Sequence, residues 1–144
     1  MRIAVISDIH SNLVAFEAVI ADLKTASPDA IVYLGDLVMK GPQPRECIEL
    51  LRSLEPTHIV RGNYDHMFTR FPRPGWEPKN NKESVIAEDF EYHRSLISES
   101  DQAWLANLPT SATLTVDGTQ FELYHAAPDS LNKITWPWSS NEEL

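Results

Sequence analysis

Short hydrophobic runs alternate with stretches of helical periodicity in the first part of the chain. Residues 2–7 form a nearly continuous apolar run, which is typical of a strand buried on both faces. Asn12 can cap the helix that follows, and a second apolar run spans 30–34. A helix over 45–54 and a short strand over 57–60 come next. The order strand, helix, strand, helix, strand predicts a parallel sheet and an α/β fold.

The middle of the chain is predicted to form a loop followed by two helices. Residues 71–83 contain three prolines and one glycine, which indicates a surface loop. Helical periodicity returns over about 84–98 and again over 101–107, where Asp101 is the expected cap.

The last part of the chain has the pattern of a β-hairpin. Residues 112–116 and 120–125 alternate between apolar and polar side chains around Asp117-Gly118, a strong turn signal. The chain after His125 is expected to be a loop. No repeat or second composition appears, so we expect a single domain over 1–144.

Composition restricts the partners and the compartment. The formal net charge of −9 argues against general binding to nucleic acid or to anionic membranes. The chain has no candidate signal peptide or membrane span, and its single cysteine, Cys47, excludes an intrachain disulfide. A cytoplasmic protein is therefore expected. Cys47 lies in an apolar-periodic stretch, which favours a small buried residue over a reactive thiol.

Polar residues follow each predicted strand of the parallel sheet. Asp8 and His10 come after the first strand, Asp36 after the second, and Asn63 after the third. The carboxyl ends of parallel strands meet at one crevice, where ligands bind. Since the second strand of the hairpin ends in His125, one site is expected to collect all five side chains.

These five side chains are of metal-ligand types. Carboxylate and amide oxygens combined with imidazole nitrogens suit Mn²⁺, Fe²⁺, Zn²⁺ or Ni²⁺ better than Ca²⁺. Taken singly, Asp36 might only cap a helix and Asn63 might only form a turn. Because every cluster follows a predicted strand, the joint interpretation as a metal site is favoured.

The ordered motifs resemble those of the calcineurin-like metallophosphoesterases. The matching stretches are Asp8-Ile9-His10, Gly35-Asp36 through Gly41, Gly62-Asn63-Tyr64-Asp65, and His125. The stretch SDIHSN is similar to the small bacterial branch of phosphodiesterases and diadenosine tetraphosphatase relatives. The resemblance implies an α/β/β/α sandwich, in which two packed sheets are flanked by helices.

The resemblance also implies a two-metal site and a reaction. Asp8 and His10 would hold the first metal, Asp36 would bridge both, and Asn63 and His125 would hold the second. Two ions about 3.5–4 Å apart would activate water for hydrolysis of phosphate esters. Mn²⁺ is the favoured ion, and the expected substrate is a small phosphate ester or nucleotide.

The first departure from the family pattern is Tyr64, where many relatives carry a histidine that helps to protonate the leaving group. Phenols, with an unperturbed pKa of about 10, are poor acids near neutrality, so phosphodiesters and nucleotide polyphosphates are favoured over alkyl monoesters. His66 might substitute, but a surface histidine at the start of a helix is the preferred interpretation. Asp65 matches an acidic position that orients neighbouring ligands.

The second departure is the absence of the family's Gly-His-x-His motif after His125. His58, expected before the third strand, and His93, a surface or packing residue in a helix, do not replace it. Either the native protein continues beyond Leu144 or this version lacks a complete metal site, and we expect a fragment. The second sheet would then be incomplete at its C-terminal part.

Other candidates have equally simple structural interpretations. Asn12 is a candidate for binding substrate phosphate but can also cap a helix, and Arg61 is a candidate for phosphate binding or for an ion pair. The default for Arg45, Arg70 and Arg73 is solvated charge. Three tryptophans could stack a nucleobase, although packing is preferred: Trp76, Trp136 and Trp138.

Two functions from different classes are therefore considered. The leading one is a metal-dependent phosphoesterase with Asn63, Tyr64 and Asp65 in catalytic positions. The alternative is a non-catalytic scaffold that keeps the fold and uses an incomplete metal site for protein contacts. Retention of five candidate ligand residues favours the enzyme, because carboxylates gathered without a cation repel each other. A homo-oligomer is compatible with exposed strand edges.

Overall fold

The computed structural model describes residues 1–133, so Trp136 and Trp138 lie outside the described residues. Its elements are, in order, β1 (Ile3–Ile6), α1 (Leu13–Ala26), β2 (Ala30–Tyr33), α2 (Pro44–Ser53), β3 (His58–Ile59), α3 (Asn63–Arg70), α4 (Asn81–Ser95), α5 (Glu99–Asn107), β4 (Ser111–Val116) and β5 (Thr119–Tyr124). None of the helices in this part of the chain is long and apolar enough to cross a membrane.

The first three strands form the predicted parallel sheet, in the order β1-β2-β3. Ile3 pairs with Ala30, and Val32 pairs with His58, so β2 lies in the centre. Helices α1 and α2 make the two crossover connections, as the alternating pattern predicts. All three carboxyl ends consequently lie at the same edge of the sheet.

The expectation that the first strand is buried on both faces is wrong. Ile6 is buried, whereas Val5 is 60% exposed. The reason is the position of β1 at the edge of the sheet, with the face that bears Val5 left uncovered by residues 1–133. The central strand β2 does have the expected burial, since Val32 and Tyr33 point to opposite faces and both are fully buried.

The hydrophobic core lies between the parallel sheet and the helices. Phe16 of α1 and Ile48 and Leu51 of α2 are fully buried in it. The Asn12 side chain caps α1 by accepting a hydrogen bond from Ala15 N at 3.1 Å. These contacts confirm the helical periodicity that was read from the sequence.

The boundaries of the later helices differ from the predicted ones. Helix α4 begins at Asn81, earlier than expected, because Asn80 caps it by accepting from Glu83 N at 3.0 Å. The predicted cap of α5 at Asp101 is wrong. Ser98 is the cap, and its Oγ accepts the Asp101 N–H at 3.1 Å. Ser and Asp are both favourable cap residues. Because the cap is Ser98 and not Asp101, the helix begins about one turn earlier than predicted.

The predicted hairpin is formed by β4 and β5, which make a separate two-stranded sheet. Both turn residues have positive φ, at 49° for Asp117 and 81° for Gly118, which is the conformation of a type I′ turn. His125 follows directly after β5, at the end that approaches the parallel sheet. The fold therefore contains helices and two sheets, as expected.

His58 and His93, which do not replace the missing Gly-His-x-His motif, occupy structural positions. His58 is the first residue of β3 instead of preceding it. His93 is buried, and its ring nitrogens lie 2.8 Å from Asp89 O and 2.9 Å from Gly41 O. His93 thereby connects α4 to the loop that follows β2, in agreement with the packing interpretation.

Cys47 is fully buried in α2, and burial raises the pKa of its thiol to about 12, with Glu46 and Glu17 adding to the shift. We predict that the native protein does not react with a thiol-specific disulfide reagent at mildly alkaline pH, because the thiolate is the reactive species. One thiol per chain should react in concentrated guanidinium chloride. A Cys47→Ala variant provides the blank, and fast labelling of the folded chain would contradict the burial of this side chain.

Candidate metal centre

The loops after β1 and β2 bring Asp8, His10 and Asp36 together at the carboxyl edge of the sheet. One ligand atom from each lies within 4.8 Å of the others. His10 Nε2 is 3.7 Å from Asp8 Oδ1 and 3.6 Å from Asp36 Oδ2. Two carboxylates and one imidazole at these separations can hold a divalent metal ion.

The backbone at these three positions is in the left-handed region. The φ angles are 59° at Asp8, 50° at His10 and 60° at Asp36. Residues other than glycine adopt this conformation only when surrounding contacts hold them there.

Hydrogen bonds between the two loops provide those contacts. Asp8 N donates to Gly35 O at 2.9 Å, and His10 N donates to Asp36 O at 3.0 Å. Ser11 N donates to Leu37 O at 2.8 Å, which continues the same ladder beyond the strands. The two ligand-bearing loops are thus fixed relative to each other.

His125 and Asn63 extend the cluster on its other side. His125 Nδ1 lies 2.8 Å from the Leu34 carbonyl oxygen, which can only accept a hydrogen bond. His125 Nε2 lies 2.9 Å from Asn63 Oδ1 and 3.5 Å from Asp36 Oδ2. An imidazole nitrogen, an amide oxygen and a carboxylate oxygen therefore converge, and all three are ligand atoms for a divalent cation.

Asp36 occupies the centre of the arrangement. Its carboxylate is almost completely buried, and Oδ1 accepts a hydrogen bond from Tyr64 N at 2.8 Å. Oδ2 faces both His10 and His125, at 3.6 Å and 3.5 Å. Burial raises the pKa of Asp36, while the Tyr64 hydrogen bond and the two histidines lower it. Only Asp36 contacts both halves of the cluster.

Asp65 lies beneath the site and holds its loops. The side chain is fully buried, and Oδ2 accepts hydrogen bonds from Asp36 N at 2.8 Å and Gly62 N at 3.1 Å. Oδ1 accepts from Leu37 N at 2.9 Å and Val38 N at 3.2 Å. Burial raises the pKa of Asp65, and the four N–H donors oppose that shift. The contacts are those of a positioning residue.

Two glycines permit the close approach of the loops. Gly35 has a φ of 96°, and a Cβ there would lie 2.3 Å from Gly62 N. A Cβ on Gly62 would lie 2.0 Å from Asp36 Oδ1. A larger residue at Gly62 would displace the central carboxylate, and one at Gly35 would push the loops after β2 and β3 apart.

Tyr64 lies beside the cluster together with a residue that sequence reasoning missed. The Tyr64 ring meets the His10 ring edge-on, with centroids 5.1 Å apart. Lys40 Nζ lies 4.1 Å from the Tyr64 ring centroid and 3.2 Å from His10 Nε2. Lys40 belongs to the Gly35–Gly41 stretch that matches the family motif, and its position there could have identified it as a site residue from the sequence.

A cleft of about 450 Å³ opens over the cluster. Asp8, Asn63 and His125 line its floor, and Asn132 and Lys133 line its wall. Asn132 and Lys133 could not be predicted from the sequence, because they lie in an irregular segment with no motif or periodicity.

The remaining candidates lie in structural contacts. The Asn12 oxygen is used in capping α1, and Arg61 Nη1 donates to Ala106 O at 3.0 Å. Of the two roles left open for Arg61, an ion pair is not formed among residues 1–133, and the guanidinium reaches α5, so contact with phosphate stays a prediction. His66 lies inside α3, and Trp76 packs edge-on against Phe71 at 4.6 Å, which agrees with the packing interpretation.

A protein-family model matches the whole described part of the chain. Residues 1–143 match the model of the calcineurin-like phosphoesterase family. The chain belongs to this family. Its members are hydrolases that use divalent metals, and the cluster of Asp8, His10 and Asp36 provides suitable ligands for such an ion.

Individual relatives extend further than this chain. An uncharacterized protein of Methanocaldococcus jannaschii, MJ0912, is 37% identical over 128 residues, which cover 88% of this chain and 49% of that protein. A metallophosphoesterase structure from Sphaerobacter thermophilus is 37% identical with a TM-score of 0.61, covering 78% of this chain and 43% of the other. The structure of PH1004 from Pyrococcus horikoshii OT3 is 20% identical with a TM-score of 0.72, covering 99% and 62%, and shows the shared fold. The chain thus spans about half the length of the first two.

We predict that Asp65→Asn destabilises the protein by about 3 kcal/mol, because the new amide N–H₂ would face backbone N–H donors in a buried site. The measurement is urea unfolding followed by circular dichroism. Asp22→Asn, on the exposed face of α1, makes the same chemical change and should alter the free energy of unfolding very little. Equal stability of the two variants would show that the four hydrogen bonds of Asp65 contribute little.

Proposed function

We propose that this chain carries the metal centre of a phosphoesterase that hydrolyses phosphodiesters or nucleotide polyphosphates. The supporting observation is the convergence of His125 Nε2, Asn63 Oδ1 and Asp36 Oδ2 next to Asp8 and His10. Imidazole nitrogens with amide and carboxylate oxygens form a ligand set for divalent metal ions. Since the chain spans about half of its first relatives, the activity of the whole protein is part of the proposal.

The ligands divide into two sets around the central carboxylate. Asp8 and His10 would hold a first cation and Asn63 and His125 a second, with Asp36 facing both sets of ligands. Mixed oxygen and nitrogen ligands favour Mn²⁺, with Fe²⁺, Zn²⁺ or Ni²⁺ as alternatives. Such a pair, when bound, supplies Lewis acidity at the phosphoryl group and a lowered pKa of bound water.

The residues around the ligands determine what the site can cleave. The Leu34 carbonyl fixes the orientation of the His125 ring, and Tyr64 N fixes the Asp36 carboxylate. Tyr64 and Lys40 lie together at the rim next to His10, so this rim carries a weak acid and a positive charge. A charge stabilises a departing oxygen anion without transferring a proton, which suits good leaving groups such as aryl alcohols and phosphates.

Metal binding by the 144-residue chain tests the proposal directly. Titration calorimetry with Mn²⁺ should detect binding to the purified chain, and Asp36→Asn should weaken it by about 100-fold, since one ligand atom shared by both ions is lost. Asp129→Asn removes an exposed carboxylate outside the cluster and should leave the affinity unchanged. Absence of binding to the unmodified chain would favour the non-catalytic scaffold.

A second prediction concerns the leaving group. Tyr64→His should raise kcat/KM for an alkyl phosphomonoester relative to an aryl phosphodiester by about tenfold or more, because an imidazole can protonate a poor leaving group near neutral pH. Tyr64→Phe is the control, since it keeps the ring beside His10 and Lys40 but has no acidic group. An unchanged substrate ratio in Tyr64→His would rule out this position as the proton donor.

A further inference from the structure

A second cleft of about 380 Å³ opens beside the metal centre. Its lining includes His66 and Arg70 of α3, Phe71 and Arg73 of the following loop, and Asn132. Asn132 also lines the cleft over the ligand cluster, so the two clefts adjoin at this residue.

The ionisable side chains that line this second cleft are all basic, although the chain has a net charge of −9. Arg70 and Arg73 are exposed, and within residues 1–133 neither forms an ion pair. Solvated charge is the default for single surface arginines, but two that line the same concave surface without a carboxylate form a site for an anion.

A third arginine, Arg61, does not line the cleft but adds to the positive potential at His66. Arg61 is 9% exposed, and its Nε has no hydrogen-bond partner in the described part of the chain. Burial and the charges of Arg61, Arg70 and Arg73 lower the pKa of His66, in that order of importance. The cleft is consequently a place where added negative charge is stabilising.

We propose that this basic cleft is a subsite for a second phosphate group of the substrate. A compound with two or more linked phosphates would place its reacting phosphate over Asp8, Asn63 and His125 and another phosphate between Arg70 and Arg73. The placement of the reacting group rests on the proposed function above, whereas anion binding by the cleft does not require a metal.

Polyphosphate fits this pair of clefts better than a simple monoester does. The ligand cluster is acidic and attracts a phosphate only through cations, while the basic cleft attracts phosphate by itself. Lys133 lines the first cleft next to Asn132 and supplies a further positive charge there. The two clefts therefore favour substrates with more than one phosphate, because a single phosphate can occupy only one cleft.

The test is calorimetric binding of inorganic tripolyphosphate to the full chain in the presence of a chelator, which removes any contribution from metals. We expect binding to the unmodified chain and a loss of about tenfold or more in affinity for the double variant Arg70→Gln/Arg73→Gln. Lys79→Gln/Lys82→Gln changes the net charge by the same amount at residues that line neither cleft and should retain the affinity.

A second measurement uses the unmodified protein, so it does not depend on the folding of a variant. The side-chain Nε–H resonances of Arg70 and Arg73 should shift on addition of tripolyphosphate and much less on addition of orthophosphate. No binding, or equal losses in the two double variants, would overturn the subsite. Tripolyphosphate binding together with absent Mn²⁺ binding would instead leave the anion subsite standing and refute the proposed metal function.

Discussion

The carboxylate of Asp65 is the contact on which the geometry of the site depends. It accepts one hydrogen bond from the loop after β3, at Gly62, and three from the loop after β2, at Asp36, Leu37 and Val38. A buried carboxylate with both oxygens fully used is stable, but it becomes costly as soon as one donor is missing. The two loops can therefore separate only by leaving a buried charge without partners.

This arrangement explains why the ligand positions tolerate an unfavourable backbone. Asp8, His10 and Asp36 all have positive φ, and the ladder between the β1 and β2 loops holds them there. Gly62 then brings its backbone within contact distance of the Asp36 carboxylate, where no side chain would fit. Burial, and to a smaller extent the charge of Asp65, raises the pKa of Asp36, while the Tyr64 hydrogen bond and the two histidines lower it.

The residues of the ligand cluster could be predicted from the sequence more fully than the side chains that surround it. Asp8, Asp36 and Asn63 were assigned to one crevice because each directly follows a strand, and strand order determines which ends meet. Lys40 and Lys133 were missed because side-chain direction within a loop depends on tertiary contacts that no periodicity encodes. For Arg61 the sequence left both phosphate contact and an ion pair open, because proximity in sequence to Asn63 does not determine side-chain direction; its guanidinium donates to Ala106 O.

Charge is distributed unevenly around the two adjoining clefts, and this has a physical consequence for how anions approach. Asp8 and Asp36 make the ligand cluster repulsive to phosphate until cations neutralise it, whereas Arg70 and Arg73 attract phosphate in either state. An anion with several phosphates is thus held by the basic cleft independently of the metals, and its second phosphate is positioned next to the ligand cluster at Asn132. Exposed charges act over about 8 Å at physiological ionic strength. The attraction of phosphate to the basic cleft is therefore determined by the nearby arginines and not by the net charge of the chain.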